Sequence, residues 1–233
     1  MDTIIKQDQG LPHLRHNPST DVGVVNFVFP AAAETIHPAG FGYLVPRTTD
    51  SIFFPPGKAH APNPDGIIGV VFDSSSMTGV EDSPLIASDF TKLTVMMGGP
   101  HWSTYPADPS SPDSKPIDIP ASTELPGKAL AHLKRVFPSI PDPVLSAGYI
   151  QYYCIPTYLV GHGQRLRELH DAIRDSKWAG KLVLLGSGYG GVGVNDCVGM
   201  AEQTVANLQA SWAEPAASKG RVTTGLERWK DWS

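Results

Sequence analysis

Apolar residues fall first into short runs and later into steps of three and four, and that change of period organises the chain. Val22 to Phe29 (VGVVNFVF), Ile67 to Asp73 (IIGVVFD) and Lys92 to Met97 (KLTVMM) are short and rich in β-branched side chains, which predicts strands. Gly40 to Pro46 (GFGYLVP) is a shorter apolar piece held between glycine and proline, and with the other three it predicts an antiparallel meander. Lys128 to Phe137 predicts a helix with Ala129, Leu130, Leu133, Val136 and Phe137 on one face, ended by Pro138. Val144 to Ile155 reads as a strand leading into Pro156. Gly161 to Trp178 reads as a second helix with Leu166, Leu169 and Ile173 turned inward. Thr48 to Pro64 and Ser103 to Pro120 are rich in proline and serine and read as surface loops.

The densest signal is Lys181 to Leu208, KLVLLGSGYGGVGVNDCVGMAEQTVANL. Lys181 to Leu185 is an apolar run suited to a strand buried on both faces, and Gly186, Gly188, Gly190, Gly191 and Gly193 follow it at once. Val194, Cys197, Val198, Ala201, Val205, Leu208 and Trp212 then mark one apolar stripe of a helix. Strand, glycine turn and helix in that order expose amide groups and a positive dipole end suited to a pyrophosphate. Gly186, Gly188 and Gly191 spell G-x-G-x-x-G, yet the second strand with an acidic residue about 20 positions on is missing. The segment therefore reads as the closing strand and helix of a nucleotide-binding domain whose main part lies elsewhere. A glycine-rich turn without a ligand fits the pattern equally well. Strands followed by helices make an α+β layout: lead-in 1–20, sheet domain 21–155, closing unit 156–212 and a polar tail 213–233.

An apolar content of 41% is ample for a core, and a net charge of −5 without any Lys/Arg cluster excludes a general nucleic-acid binder. Cys154 and Cys197, far apart and outside any C-x-x-C motif, read as two buried thiols in a reducing compartment. No apolar run is long enough to span a membrane, and Met1 to Gln9 lacks the apolar core of a signal peptide. The eight histidines are scattered; the nearest pair is His13 and His16, while His162 and His170 stand two helical turns apart, and no metal site is expected. Phe72 to Met77 (FDSSSM) lacks a nucleophile elbow, and no paired carboxylates stand in an apolar setting. No catalytic side chain is assigned, so any chemistry is expected to belong to a cofactor.

Gly40 to Pro46 (GFGYLVP), Leu93 to Gly99 (LTVMMGG), Cys154 to Tyr158 (CIPTY) and Gly188 to Cys197 (GYGGVGVNDC) together resemble the protoporphyrinogen oxidase family, within the flavin amine-oxidase superfamily. The four blocks come in that family's order and cover only its C-terminal part. The resemblance implies a flavin domain assembled from both chain ends, of which this chain carries an α/β remnant. It also implies a substrate domain on an antiparallel or mixed sheet. The implied activity is oxidation of protoporphyrinogen IX to protoporphyrin IX by dioxygen, with FAD as cofactor. By position in the blocks, Val192, Gly193, Val194, Asn195 and Asp196, together with Ile150, are implied to lie near FAD. Phe41, Gly42, Leu44 and Met96 are implied to line the tetrapyrrole pocket. A place at the mitochondrial inner membrane, a peripheral membrane contact through the missing half and a homodimer are further implications.

Asp50 to Asp65 reads as an insertion relative to the family, with an exposed Ile52-Phe53-Phe54, and the last twenty residues have no identified counterpart. Two other readings stand beside the first. One is an amine-oxidase relative with another substrate, for which Tyr149, Tyr152 and Tyr153 are the only nearby aromatics to flank a flavin. The other is a non-catalytic fragment that docks on a partner chain and exposes apolar surface alone.

Overall fold

A computed structural model describes residues 10–14, 16, 18–46, 63–76, 89–102, 119–213 and 222–230. Met1 to Gln9 of the lead-in and the Asp50–Asp65 insertion, except its last three residues, lie outside them, as does nearly all of the loop Ser103 to Pro120. Two compact units emerge, one of Thr20–Cys154 and one of Met1–Ser19 with Ile155–Ser233. Their mixture of helices with an antiparallel sheet is an α+β fold.

In the Thr20–Cys154 unit, the expected strands appear as β1 (Ser19–Phe29), β2 (Gly42–Leu44), β3 (Ile67–Val71), β4 (Thr91–Gly98) and β5 (Leu145–Pro156). Two single-turn helices, α1 (Ala33–Ile36) and α2 (Asp73–Ser76), lie between them. Sheet order is β2-β3-β4-β1-β5. Only β2, β3 and β4 form a meander in chain order, because β1 is inserted between β4 and β5. It pairs antiparallel with β4 from Val22↔Gly98 to Phe29↔Thr91. β5 runs against β1 on the outer edge, with the Val144 amide on the Val28 carbonyl and Cys154 Sγ on the Thr20 carbonyl.

The alternation of strand side chains decides what the sheet buries. Val25, Phe27 and Phe29 of β1 and Leu93, Val95 and Met97 of β4 point to one face and are fully buried. Helix α3 (Leu125–Val136) covers that face with Leu125, Ala129 and Leu133. Full burial of one such side chain stabilises by roughly 1.5–3 kcal/mol. Val136, expected on the inward face, is 42% exposed at the last residue of the helix.

In the other unit, α4 (His162–Arg174) buries Leu166, Leu169 and Ile173 as its period predicts. They pack against Leu11, Leu226 and Trp229. Leu11 belongs to the lead-in, and Leu226 and Trp229 to the polar tail, so both stretches contribute core residues. One expectation fails here: the strand over Lys181–Leu185 does not form. It has no neighbouring strand to pair with among the described residues; its Leu184 amide reaches the Thr224 carbonyl at 2.8 Å.

Helix α5 (Val194–Ala213) forms as expected, but its apolar stripe does not face a core. Val194, Val198, Val205 and Trp212 are between 51% and 80% exposed, while Thr204 is its one buried residue. An amphipathic helix normally hides such a stripe. Nor are the cysteines buried thiols: Cys154 is exposed on the edge strand and Cys197 half-buried.

Candidate functional site

The glycine turn is built from backbone bonds, with Tyr189 N–H donating to Gly186 O at 3.0 Å. Tyr158 braces it from the side: its hydroxyl donates to Ser187 O at 2.5 Å and accepts from Gly191 N–H at 2.9 Å. Burial pushes the Tyr158 hydroxyl above its ordinary pKa, with the Gly191 bond opposing that shift, so the hydroxyl keeps its proton at neutral pH. Its ring stacks on His162 at 4.0 Å, whose own pKa burial lowers. Tyr158 closes the CIPTY block, and this bracing role was not legible there.

From the turn the chain enters α5. Val192, Gly193, Val194, Asn195 and Asp196 cluster at its exposed start, where amides of the first turn have no helical acceptor. Asp196 Oδ2 accepts from Gly193 N–H at 3.3 Å, so one amide is already satisfied and a carboxylate already faces the positive end of the dipole. A second, fully charged anion there would meet that carboxylate. The site suits a neutral acceptor better than a phosphate. Beside it runs a cleft of about 400 Å³ between α5 and residues 225–228, lined among others by Asn195, Asp196, Gln203, Asn207, Glu227 and Arg228. Arg228 was not singled out by the sequence, since nothing in a polar tail marks one arginine above its neighbours.

Ile150, the sixth implied flavin neighbour, belongs to the sheet unit, half-buried on β5 and packed against its core. Tyr149, Tyr152 and Tyr153 on the same strand are exposed, and Tyr153 takes a left-handed φ of 51° while its amide donates to Asp21 Oδ1 at 2.6 Å.

At the other edge of that sheet, Phe41, Gly42, Leu44 and Met96 line one cleft of about 170 Å³, completed by Tyr43, Val70 and Val71. No charged side chain lines it. Phe41 and Leu44 are 72% and 77% exposed, standing up as its outer wall. Gly42 is required at its floor: its φ is 151° and a Cβ there would lie 2.2 Å from Val70 O. Tyr43 ties the wall to the core, its hydroxyl sharing a hydrogen bond with His132 Nε2 of α3 at 2.9 Å. Burial raises the Tyr43 hydroxyl and lowers the His132 imidazole, the latter helped by Arg135 and opposed by Asp65. Both groups are neutral at pH 7. The cleft is smaller than the roughly 300–1,000 Å³ of a complete ligand pocket, so it can hold one edge of a large flat apolar molecule.

Among the described residues no three His, Cys, Asp or Glu side chains gather as a metal site, and no helix is long and apolar enough to cross a membrane.

Comparison with known proteins bears out the resemblance read from the four blocks. Over 82% of its length the chain is similar to protoporphyrinogen oxidases, 31% identical over 191 residues to that of Schizosaccharomyces pombe and 26% over 199 residues to that of Homo sapiens. The chain spans about a third of the length of these curated relatives. A solved structure from Exiguobacterium sp. 255-15, whose assignment as a protoporphyrinogen oxidase is itself inferred, superposes on 88% of this chain and 38% of its own with a TM-score of 0.57 and 19% identity. That likeness is one of fold. No protein-family model matches the chain.

Proposed function

We propose that this chain is the C-terminal third of an FAD-dependent protoporphyrinogen oxidase, which converts protoporphyrinogen IX to protoporphyrin IX with dioxygen as oxidant. The observation that carries the reading is the 31% identity to the Schizosaccharomyces pombe protein across most of this chain. Two features support it. The four residues that the family likeness assigns to the tetrapyrrole meet in one apolar cleft, and the five adjacent residues assigned to the flavin meet at one helix terminus.

The chemistry a bound flavin would supply is acceptance of hydride from a bridging carbon of the substrate, with dioxygen as the final oxidant. What this chain supplies is position and dryness. Phe41 and Leu44 shield an edge of the macrocycle from water, Met96 and Val70 form the floor, and Gly42 lets β2 lie close against β3 there. Such a reaction needs an enclosed apolar slot more than a general base, and the neutral Tyr43–His132 pair introduces no charge into it. At the start of α5, amides of Val194 and Asn195 suit the carbonyl oxygens of the flavin ring. The Asp196 carboxylate disfavours a pyrophosphate there, which belongs with the main glycine fingerprint in the missing part.

In this reading residues 21–155 are the end of the substrate domain and 156–212 the closing remnant of the flavin domain. The bare stripe of α5 and the Lys181–Leu185 segment, which has no strand beside it among the described residues, then pack against the rest of that domain. Alone, the chain binds FAD weakly and does not turn over. A homodimer and a station on the mitochondrial inner membrane are further parts of the proposal.

The test replaces the matching third of the Schizosaccharomyces pombe protein with this chain. A chimera that oxidises protoporphyrinogen, with a KM raised by Leu44→Glu at unchanged FAD content, supports the reading. A chimera that folds and retains FAD yet leaves protoporphyrinogen untouched overturns it. Tight stoichiometric FAD binding by the isolated chain would refute the incomplete-site argument.

A further inference from the structure

Residues 222–230 have no periodicity that predicts structure, yet Thr224 and Leu226 are fully buried and Trp229 nearly so. The segment organises itself first. Glu227 Oε1 accepts from the amides of Thr224 at 2.5 Å and Gly225 at 3.2 Å, and Thr224 Oγ1 accepts from Leu226 N–H at 3.1 Å and shares a bond with His170 Nδ1 at 2.7 Å. Gly225, at φ 81°, lets it press onto the chain entering the glycine turn, since a Cβ would lie 2.1 Å from Leu184 O.

From that base it reaches the turn itself. Arg228 Nη1 donates to Gly190 O at 2.5 Å and Trp229 Nε1 to Tyr189 O at 2.7 Å, while Thr224 O accepts from Leu184 N–H. The guanidinium also lies 5.1 Å from the Trp229 ring, which orients both donors. With Tyr158 holding Ser187 and the Gly191 amide from its own side, and Cys197 Sγ on the Gly191 carbonyl at 3.7 Å, four carbonyls of the turn are tied down by side chains. A stretch with this many glycines has an unusually large backbone entropy to lose, and its own few bonds do not define one shape.

We propose that residues 222–230 are a strap that sets the conformation of the glycine turn, with Arg228 and Trp229 as positioning residues for the ligand that meets the start of α5. The consequence for a flavin rests on the function proposed above; the consequence for the turn does not.

Amide hydrogen exchange on the full 233-residue chain tests it, read at Tyr189, Gly191 and Gly193, whose amides are bonded within or beside the turn. Arg228→Ala should raise exchange there about tenfold, the factor that 1.4 kcal/mol represents, and Arg228→Lys should restore most of the protection. Trp229→Phe, which removes the donor together with part of the indole's bulk, should loosen Tyr189 more than the amides around Ile173. Unchanged exchange at Tyr189 and Gly191 in Arg228→Ala overturns the proposal. So does a rise shared equally by the α4 core, which would make the segment packing alone. Should Trp229→Phe not fold, the Arg228 pair decides by itself.

Quenching of FAD fluorescence in the chimera described above supplies the second readout. Weaker FAD binding in parallel with the loosened turn supports the positioning role, and undiminished binding with a loosened turn overturns it. A loosened turn in a chimera that binds no FAD at all sustains the strap and sinks the flavin reading instead.

Discussion

Gly42→Ala should show how tightly the apolar cleft is specified. At φ 151° an alanine is strained whatever the space around it, at a cost of roughly 1–3 kcal/mol. The space is missing as well: the added Cβ would sit 2.2 Å from Val70 O and 3.1 Å from Val71 Cα, both backbone atoms of β3 that cannot swing aside. Relief requires β2 to move away from β3. That strains the two flanking bonds, Val45 N–H to Ile68 O and Phe72 N–H to Phe41 O, each 2.9 Å now and each worth about 1 kcal/mol net. The sum is about 3–5 kcal/mol, and β2 can limit it by detaching, since it is a three-residue edge strand. We expect a loss near 3 kcal/mol in urea titration, or a fall in Tm of about 10 °C, with Leu44→Ala as control. Leu44 is 77% exposed and should cost less than about 0.5 kcal/mol. If the strand detaches instead of unfolding its unit, amide exchange at Val45 and Phe72 rises while Tm holds. Gly42→Ala that matches the control in both Tm and exchange would refute the argument.

Three other outcomes follow from the packing and the charges. Leu169→Ala empties a fully buried position between α4 and Leu226 and should lower stability by about 2–5 kcal/mol in denaturant titration; a loss below 1 kcal/mol would mean the site collapses or was never packed. Folded His132 has a pKa below the unfolded 6.5, chiefly through burial, so it is neutral in both states above that pH. As pH falls the unfolded chain takes the proton first, and stability drops from about pH 6.5 downward. His132→Gln, which can still meet Tyr43, should flatten that drop, and an unaltered pH profile would assign it elsewhere. On α5, Val198→Ser with Trp212→Ser should change stability by less than about 0.5 kcal/mol while reducing self-association seen by light scattering; a large loss of stability would show that this face is already covered.

How much of this was legible beforehand depended on whether a segment's neighbours are local. Strands β1, β3 and β4 and helix α4 were readable because period alone determines which face can be buried, and any apolar partner would serve. The glycine turn and the four family-like blocks were visible as residue types at fixed spacing. The lack of a second strand with an acidic end after the glycine turn was readable as well, and the chain matches about a third of its relatives' length. Lys181–Leu185 shows the limit of that logic. Its residues suit a buried strand, but a strand is a pairing between segments, and without a neighbour among the described residues the same residues stay irregular.

Only the tertiary structure decided the rest. Phe41, Gly42, Leu44 and Met96 are separated by up to 55 positions, and it is the β2-β3-β4 register that gathers them beside Val70. Tyr43 and His132, 89 positions apart, were unremarkable until α3 packed on the sheet and left each as the other's polar partner. Residues 222–230 read only as part of a polar tail without periodicity. Two apolar anchors and a self-capped turn suffice to bury residues 223–226 and Trp229, and a count of polar residues does not register where the polar atoms find their partners.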